Sequence, residues 1–274
     1  MFAGASSIAL ALLLVVFLVL GLAIYTAIIW QISARRVAAP PAETDIPPKK
    51  TFGLPEAVVA VALTSFLIMN IAVSFGRSPV QLGTRDLVAN LLFTAFIVFF
   101  IAAFLKLRGI DIDSFAGFSR TSLKRAISTG IILLLAATPL IMLAEVITQN
   151  LFGGGSSRQE IVDLFNSSQT IQQRMMIIVL AVIVAPMAEE FIFRFFIYRV
   201  LRRYFGIAIG LFFNALLFGA AHNHLPSALP LFVLGACFTL AYEWSGSILV
   251  SMAMHALFNG TQLIFLAFPN LFQQ

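Results

Sequence analysis

The sequence predicts an all-α fold, a polytopic membrane bundle of about eight transmembrane helices. Three observations predict it. The 274-residue chain is 60% hydrophobic and 11% charged, whereas soluble domains run to about 45–50% apolar and about 25% charged. Its apolar residues gather in eight runs, most of them near the roughly 20 residues needed to cross about 30 Å of hydrocarbon. Its basic residues are sorted into alternate loops, as membrane topology demands. Such a chain has too few polar side chains to cover a soluble globule. That excludes a cytosolic enzyme or a free nucleic-acid binder, whatever the net charge of +5 suggests.

The first run, about 7–30 (SIALALLLVVFLVLGLAIYTAIIW), has no basic residue before it and is too long for a signal-peptide core, so it is expected to be a retained span. The polar stretch ARRVAAPPAETDIPPKK follows, with four prolines between Pro40 and Pro48. It reads as an extended linker and closes an N-terminal unit, 1–54. Runs at 55–75 and 87–105 form a motif-free membrane unit, 55–124. The run 127–149 opens a core, 125–268, continued by runs at 175–198, 206–222, 228–243 and 247–268 and followed by a tail, 269–274. A second polar stretch, about 150–174, contains RQEIVDLF, which suits a surface helix at the interface. No internal repeat or strand pattern is visible. The one cysteine, Cys237, lies in an apolar run as a small hydrophobe and excludes an intrachain disulfide.

The loops after spans one, three and five hold Arg35, Arg36, Lys49 and Lys50, then Lys106, Arg108, Arg120, Lys124 and Arg125, then Arg199, Arg202 and Arg203. These are 12 of the 17 basic residues, against four (Arg77, Arg85, Arg158 and Arg174) on the other side. The asymmetry puts the richer side in the cytoplasm and, with eight spans, both termini outside. Arg194 is left inside a span.

Charge within a span is the main functional signal, because each such group costs roughly 2.5–3.5 kcal/mol at mid-membrane. Asp45, Asp86, Asp111, Asp113, Asp163, Glu43, Glu56 and Glu160 avoid that cost in loops, and Glu145 and Glu243 lie near span ends. Only Glu189 and Glu190 are deep, in MIIVLAVIVAPMAEEFIFRFFIYRV, together with Arg194. With Arg199 as the membrane edge, Glu189 lies about 15 Å down the helix. Glu190 and Arg194 are i,i+4 neighbours and can pair, as a structural ion pair or as part of a site. Glu189 has no local neutralising partner, which suits a general base. Pro186, one turn earlier, should kink the helix and free a carbonyl.

Three histidines complete the inventory. His222 ends LFGAAH, four residues after Phe218, and His255 opens HALFN with Asn259 as its i+4 neighbour. His224, in HNHLP at a span end, is expected to be exposed and outside the site. Singly, each could be an interhelical hydrogen-bond donor. Together, two histidines and an asparagine on two spans complement two deep glutamates on a third. A glutamate and a histidine can hold and deprotonate one water, while a second histidine and an amide can donate to a developing oxyanion. Measured from Arg203, His222 comes out about 28 Å along its span, deeper than Glu189, yet this chemistry requires the two to approach. Other intramembrane protease chemistries lack their parts. There is no H-E-x-x-H, no aspartate within a span, and the G-x-S at Gly117 to Ser119 lies in a charged loop.

EEFIFR fits E-E-x-x-x-R, FGAAH fits F-x-x-x-H and HALFN fits H-x-x-x-N, in that order within apolar runs. Over about 125–265 the chain resembles the CAAX protease and bacteriocin-processing (CPBP) family, which includes the type II CAAX prenyl endopeptidases. The resemblance implies an eight-helix intramembrane endopeptidase in which Glu189 activates water with His222. Glu190 orients the site with Arg194, and His255 and Asn259 form the oxyanion site. Family members are described both as metalloproteases and as metal-free glutamate-dependent enzymes. Glu189, His222 and His255 are the candidate ligands for a divalent metal such as zinc, but their spacing matches no standard zinc motif, so the metal-free form is favoured and no cofactor is expected. The implied partners are the lipid bilayer and a membrane-associated protein or peptide substrate, without nucleic acid, in a multi-pass protein of the cell membrane. Two other readings stay open. One is a proton-coupled transporter, since deep Glu and His also build proton relays, although no inverted repeat is seen. The other is a non-catalytic membrane regulator or scaffold of the same fold.

Overall fold

The computed structural model describes residues 2–37, 51–74, 84–152, 165, 168 and 170–267. The Pro-rich linker, most of the expected surface helix at 158–165 and the tail 269–274 lie outside them. Among the described residues the chain is helical apart from short connections, and no strand is present. The elements are α1 (Phe2–Val37), α2 (Leu54–Ser74), α3 (Thr84–Leu107), the short α4 (Ile112–Ala116), α5 (Leu123–Phe152), α6 (Ile171–Val179), α7 (Ala185–Glu190), α8 (Tyr198–Ala220), α9 (Leu225–Ser245) and α10 (Ile248–Ala267). Two π-helical segments, Leu180–Val184 and Phe191–Ile197, join α6 to α7 and α7 to α8.

Seven stretches are long and apolar enough to cross a membrane, one of them the 50-residue run Ile171–Ala220. That run is not straight. Gly206 has φ 82° and ψ 178°, a conformation essentially reserved for glycine, and the helix turns back there. The rings of Phe193 and Phe218, 25 positions apart, are 5.4 Å apart, whereas a straight helix would separate them by about 37 Å. The fifth and sixth expected spans are therefore two arms of one hairpin, and eight apolar helical passes are present. This is a multi-pass integral membrane protein, and the apolar residues exposed on α2 and α3 (Val61, Phe96 and Phe99 among them) face lipid.

The hairpin removes the depth mismatch between Glu189 and His222. Arg199 lies on the first arm before the turn, donating from Nε to the Tyr242 hydroxyl at 2.5 Å and from Nη2 to the Phe115 carbonyl. Measured from Gly206 instead, Glu189 and His222 lie at nearly equal distances along the two arms.

Helices α9 and α10 pack on this hairpin and α5 packs on them, with small residues at the contacts, the usual device where lipid supplies no hydrophobic drive. A Cβ on Gly235 of α9 would lie 2.9 Å from Phe218, and one on Gly130 of α5 would lie 3.1 Å from Ala253 on α10. α1 docks on α5, where the Tyr25 hydroxyl donates to the Leu133 carbonyl at 3.0 Å. Cys237 is free and buried, as expected.

The charge-derived grouping of loops is visible as one basic end. Arg35 donates to the Trp244 carbonyl at 2.8 Å, Arg108 pairs with Glu56 at 3.0 Å, and Arg202 pairs with Glu243 at 3.0 Å. Glu56 corrects its loop placement. It sits fully buried in the first turn of α2, accepting from the Gly53 N–H and from Arg108, so its charge is neutralised locally rather than hydrated.

Candidate active site

The site is built on α7 and its flanking π segments. In the first segment the Ala185 N–H bonds to the Leu180 carbonyl, five residues back. The next rung would need an N–H from residue 186, and Pro186 has none. The Ala181 carbonyl is thereby left without a ladder donor, as expected of this proline. Asn259 Nδ2 on α10 donates to it at 2.8 Å. A buried carbonyl in an apolar bundle must find a partner, and this bond ties α10 to the helix that carries the glutamates.

One turn on, Glu190 and Arg194 form the expected i,i+4 pair at 2.8 Å, both fully buried. Arg194 Nη2 also donates to the Gly235 carbonyl at 3.3 Å. Its guanidinium lies 4.1 Å from the Phe218 ring centroid and 5.1 Å from that of Phe238, so aromatic faces replace water around the charge. His255 reaches the same carboxylate from α10, with Nδ1 2.9 Å from Glu190 Oε1. Its Nε2 faces Glu189 Oε2 at 3.8 Å, beyond hydrogen-bond length. Glu189 Oε2 and Glu190 Oε2 are buried without a partner among the described residues.

His222 stands at the end of the second hairpin arm, half-buried. Its Nδ1–H donates to the Phe218 carbonyl at 2.8 Å, which leaves Nε2 as an acceptor. No hydrogen bond or ion pair joins it to either glutamate among the described residues. It shares the Phe218 ring with His255, at centroid separations of 4.9 and 5.7 Å. His224 is half-buried rather than exposed, with Nδ1 2.7 Å from Ser227 Oγ, and belongs to the turn into α9.

Residues 171–261 match the family of type II CAAX prenyl endopeptidase Rce1-like proteins. Over that stretch the chain is similar to the type II CAAX prenyl endopeptidases. A curated relative, the membrane-embedded CAAX protease MroQ of Staphylococcus aureus (strain USA300), is 33% identical over 89 residues, 30% of this chain and 36% of the relative. The chain thus spans about a third of the length of the curated relative it matches. No solved structure matches.

The matched stretch begins at α6 and ends two residues beyond Asn259, so it holds every side chain of the site described above. It also contains residues that pattern reading left without a role. Phe218, the first position of F-x-x-x-H, is the surface on which Arg194, His222 and His255 all rest. Phe238 is the second ring against the Arg194 guanidinium and lies 4.9 Å from His255, with no sequence signal beyond its place on α9. Among the described residues no three His, Cys, Asp or Glu side chains gather as metal ligands.

Proposed function

We propose that this protein is an intramembrane endopeptidase that hydrolyses a peptide bond of a membrane-associated protein or peptide, in the manner of CAAX processing. The observation that carries it is the pair formed by Glu189 Oε2, buried and unbonded, and His255 Nε2 at 3.8 Å. That separation is too long for a hydrogen bond and suits two groups flanking one tetrahedral centre. The match of residues 171–261 to the Rce1-like family and the MroQ likeness support the same activity.

In this mechanism Glu189 takes a proton from water as the water oxygen attacks the carbonyl carbon. His222 Nε2 accepts the second hydrogen of that water and orients it. The oxyanion is met by His255 Nε2–H and by the Asn259 N–H not spent on Ala181. The C–N bond breaks as Glu189 passes its proton to the leaving amine, giving a free carboxylate and a free amine. Glu190 and Arg194 are positioning residues. The Glu190 carboxylate holds His255 through Nδ1 and so directs Nε2 at Glu189, and Arg194 compensates its charge.

The test uses the purified full chain in lipid vesicles with a membrane-associated peptide substrate. Glu189→Gln and His222→Ala should each abolish cleavage while the bundle stays folded, and turnover retained in both variants would defeat the assignment. Cleavage by the wild type is expected to survive a chelator, and its loss would overturn the metal-free form of the mechanism.

A further inference from the structure

A second polar feature lies at the basic end of the bundle, away from the glutamates. A cavity of about 480 Å³ is lined by Arg120, Arg199, Arg202, Tyr242, Glu243 and Gly246, among others. Three guanidinium groups face one carboxylate. Two of the three are held by the protein, Arg199 by Tyr242 and the Phe115 carbonyl and Arg202 by Glu243. Arg120 makes no side-chain hydrogen bond or ion pair among the described residues. Its guanidinium lies across Gly246, where a Cβ would fall 2.6 Å from Nη1. Gly246 closes α9 at φ 67° and Gly117 precedes Arg120 at φ 71°, and the two turns meet so closely that a Cβ on Gly117 would overlap the Gly246 carbonyl. Arg120 is thus set over the cavity by two glycine turns rather than left on a loose loop. A smaller hollow of about 290 Å³ adjoins it and adds Arg203.

Topological sorting accounts for arginines at this end of the molecule. It does not account for three of them converging on one hollow with an uncompensated charge. Guanidinium groups arranged so are suited to a phosphate, which they grip through paired N–H donors. The surroundings select the form of that phosphate. Phe118 and Leu123, two and three residues from Arg120, are exposed, as are Tyr204 and Phe205 beside Arg203. Apolar side chains at the rim of a basic hollow, at the ends of membrane helices, suit a headgroup that carries acyl chains.

We propose that this cavity binds the phosphodiester headgroup of an anionic membrane lipid. The site is independent of the peptidase assignment, since it shares no residue with the glutamate–histidine cluster.

The experiment is native mass spectrometry of the purified, delipidated full chain in detergent, titrated with phosphatidylglycerol, with phosphatidylcholine or with inorganic phosphate. Phosphatidylglycerol should be retained as a discrete one-to-one adduct and phosphatidylcholine should not. Arg120→Gln, which breaks no bond within the protein, should weaken retention about five-fold, the scale of one basic side chain beside an anionic headgroup. Lys124→Gln, exposed at the same end but outside the cavity, should change it little. Equal retention by Arg120→Gln and wild type would overturn the proposal, as would equal weakening by Lys124→Gln, which would mean a diffuse basic surface. Displacement of the lipid by millimolar inorganic phosphate would overturn the lipid assignment. Thermal unfolding of each lipid-free variant, expected to match the wild type, confirms that retention is compared between folded proteins.

Discussion

The Asn259–Ala181 bond gives the sharpest test of how this site is assembled. Asn259→Ala removes the donor to a carbonyl that Pro186 has already deprived of its ladder partner. Ala181 is buried, so the loss is that of an unsatisfied buried acceptor, about 1–3 kcal/mol. The explanation makes a second demand. In a Pro186→Ala background residue 186 has an N–H again, and the next rung of the five-residue ladder reaches Ala181. Asn259→Ala should then cost well under about 1 kcal/mol, and the pair should show a coupling of about 1–2 kcal/mol in a double-mutant cycle. The assay is denaturant unfolding of the four proteins in one mixed-micelle condition, followed by tryptophan fluorescence. An equal loss from Asn259→Ala in both backgrounds would refute the account of Pro186 as the origin of the free carbonyl. Cleavage measured on the same proteins separates the two duties of the amide. If the double variant regains stability without activity, the remaining N–H acts on the substrate.

Three further outcomes are expected. Glu189→Gln should leave the unfolding midpoint near that of the wild type while turnover is lost, because Oε2 makes no hydrogen bond that the fold depends on; a large stability loss would make Glu189 a structural residue. Arg194→Met leaves the Glu190 carboxylate fully buried without its counter-ion and should cost about 3–5 kcal/mol, whereas Arg194→Met with Glu190→Gln should recover most of it; equal destabilisation in unfolding assays would show that the ion pair is not the source. Gly206→Ala should cost about 1–3 kcal/mol through backbone conformation alone. An added methyl there meets nothing within 4 Å, so wild-type stability in that variant would show that the hairpin does not need its left-handed turn.

The bundle was legible because lipid imposes a coarse rule, long apolar runs and sorted cations, that needs no tertiary knowledge. The Glu190–Arg194 pair was legible because i,i+4 spacing is local. The reversal between the fifth and sixth spans was legible from the basic run Arg199, Arg202 and Arg203, but its pivot was not: nothing in RRYFGIAIG singles out Gly206, and with Arg199 as the membrane edge His222 came out too deep. The reversal also decides which groups meet. By bringing the second arm back along the first, it sets Phe218 against Arg194, and so puts both His222 and His255 against one ring. Asn259 shows the complementary case. Its motif position pointed to the substrate, while the structure spends one of its two N–H groups on a carbonyl freed by a proline 73 residues earlier, a pairing that neither local spacing nor hydropathy encodes. The glutamates themselves are readable because a deep carboxylate is costly enough to stand out. Their supporting aromatics, Phe218 and Phe238, are hidden for the opposite reason, since in a chain with 28 phenylalanines a functional ring looks like every other lipid-compatible one until the charge it covers is located.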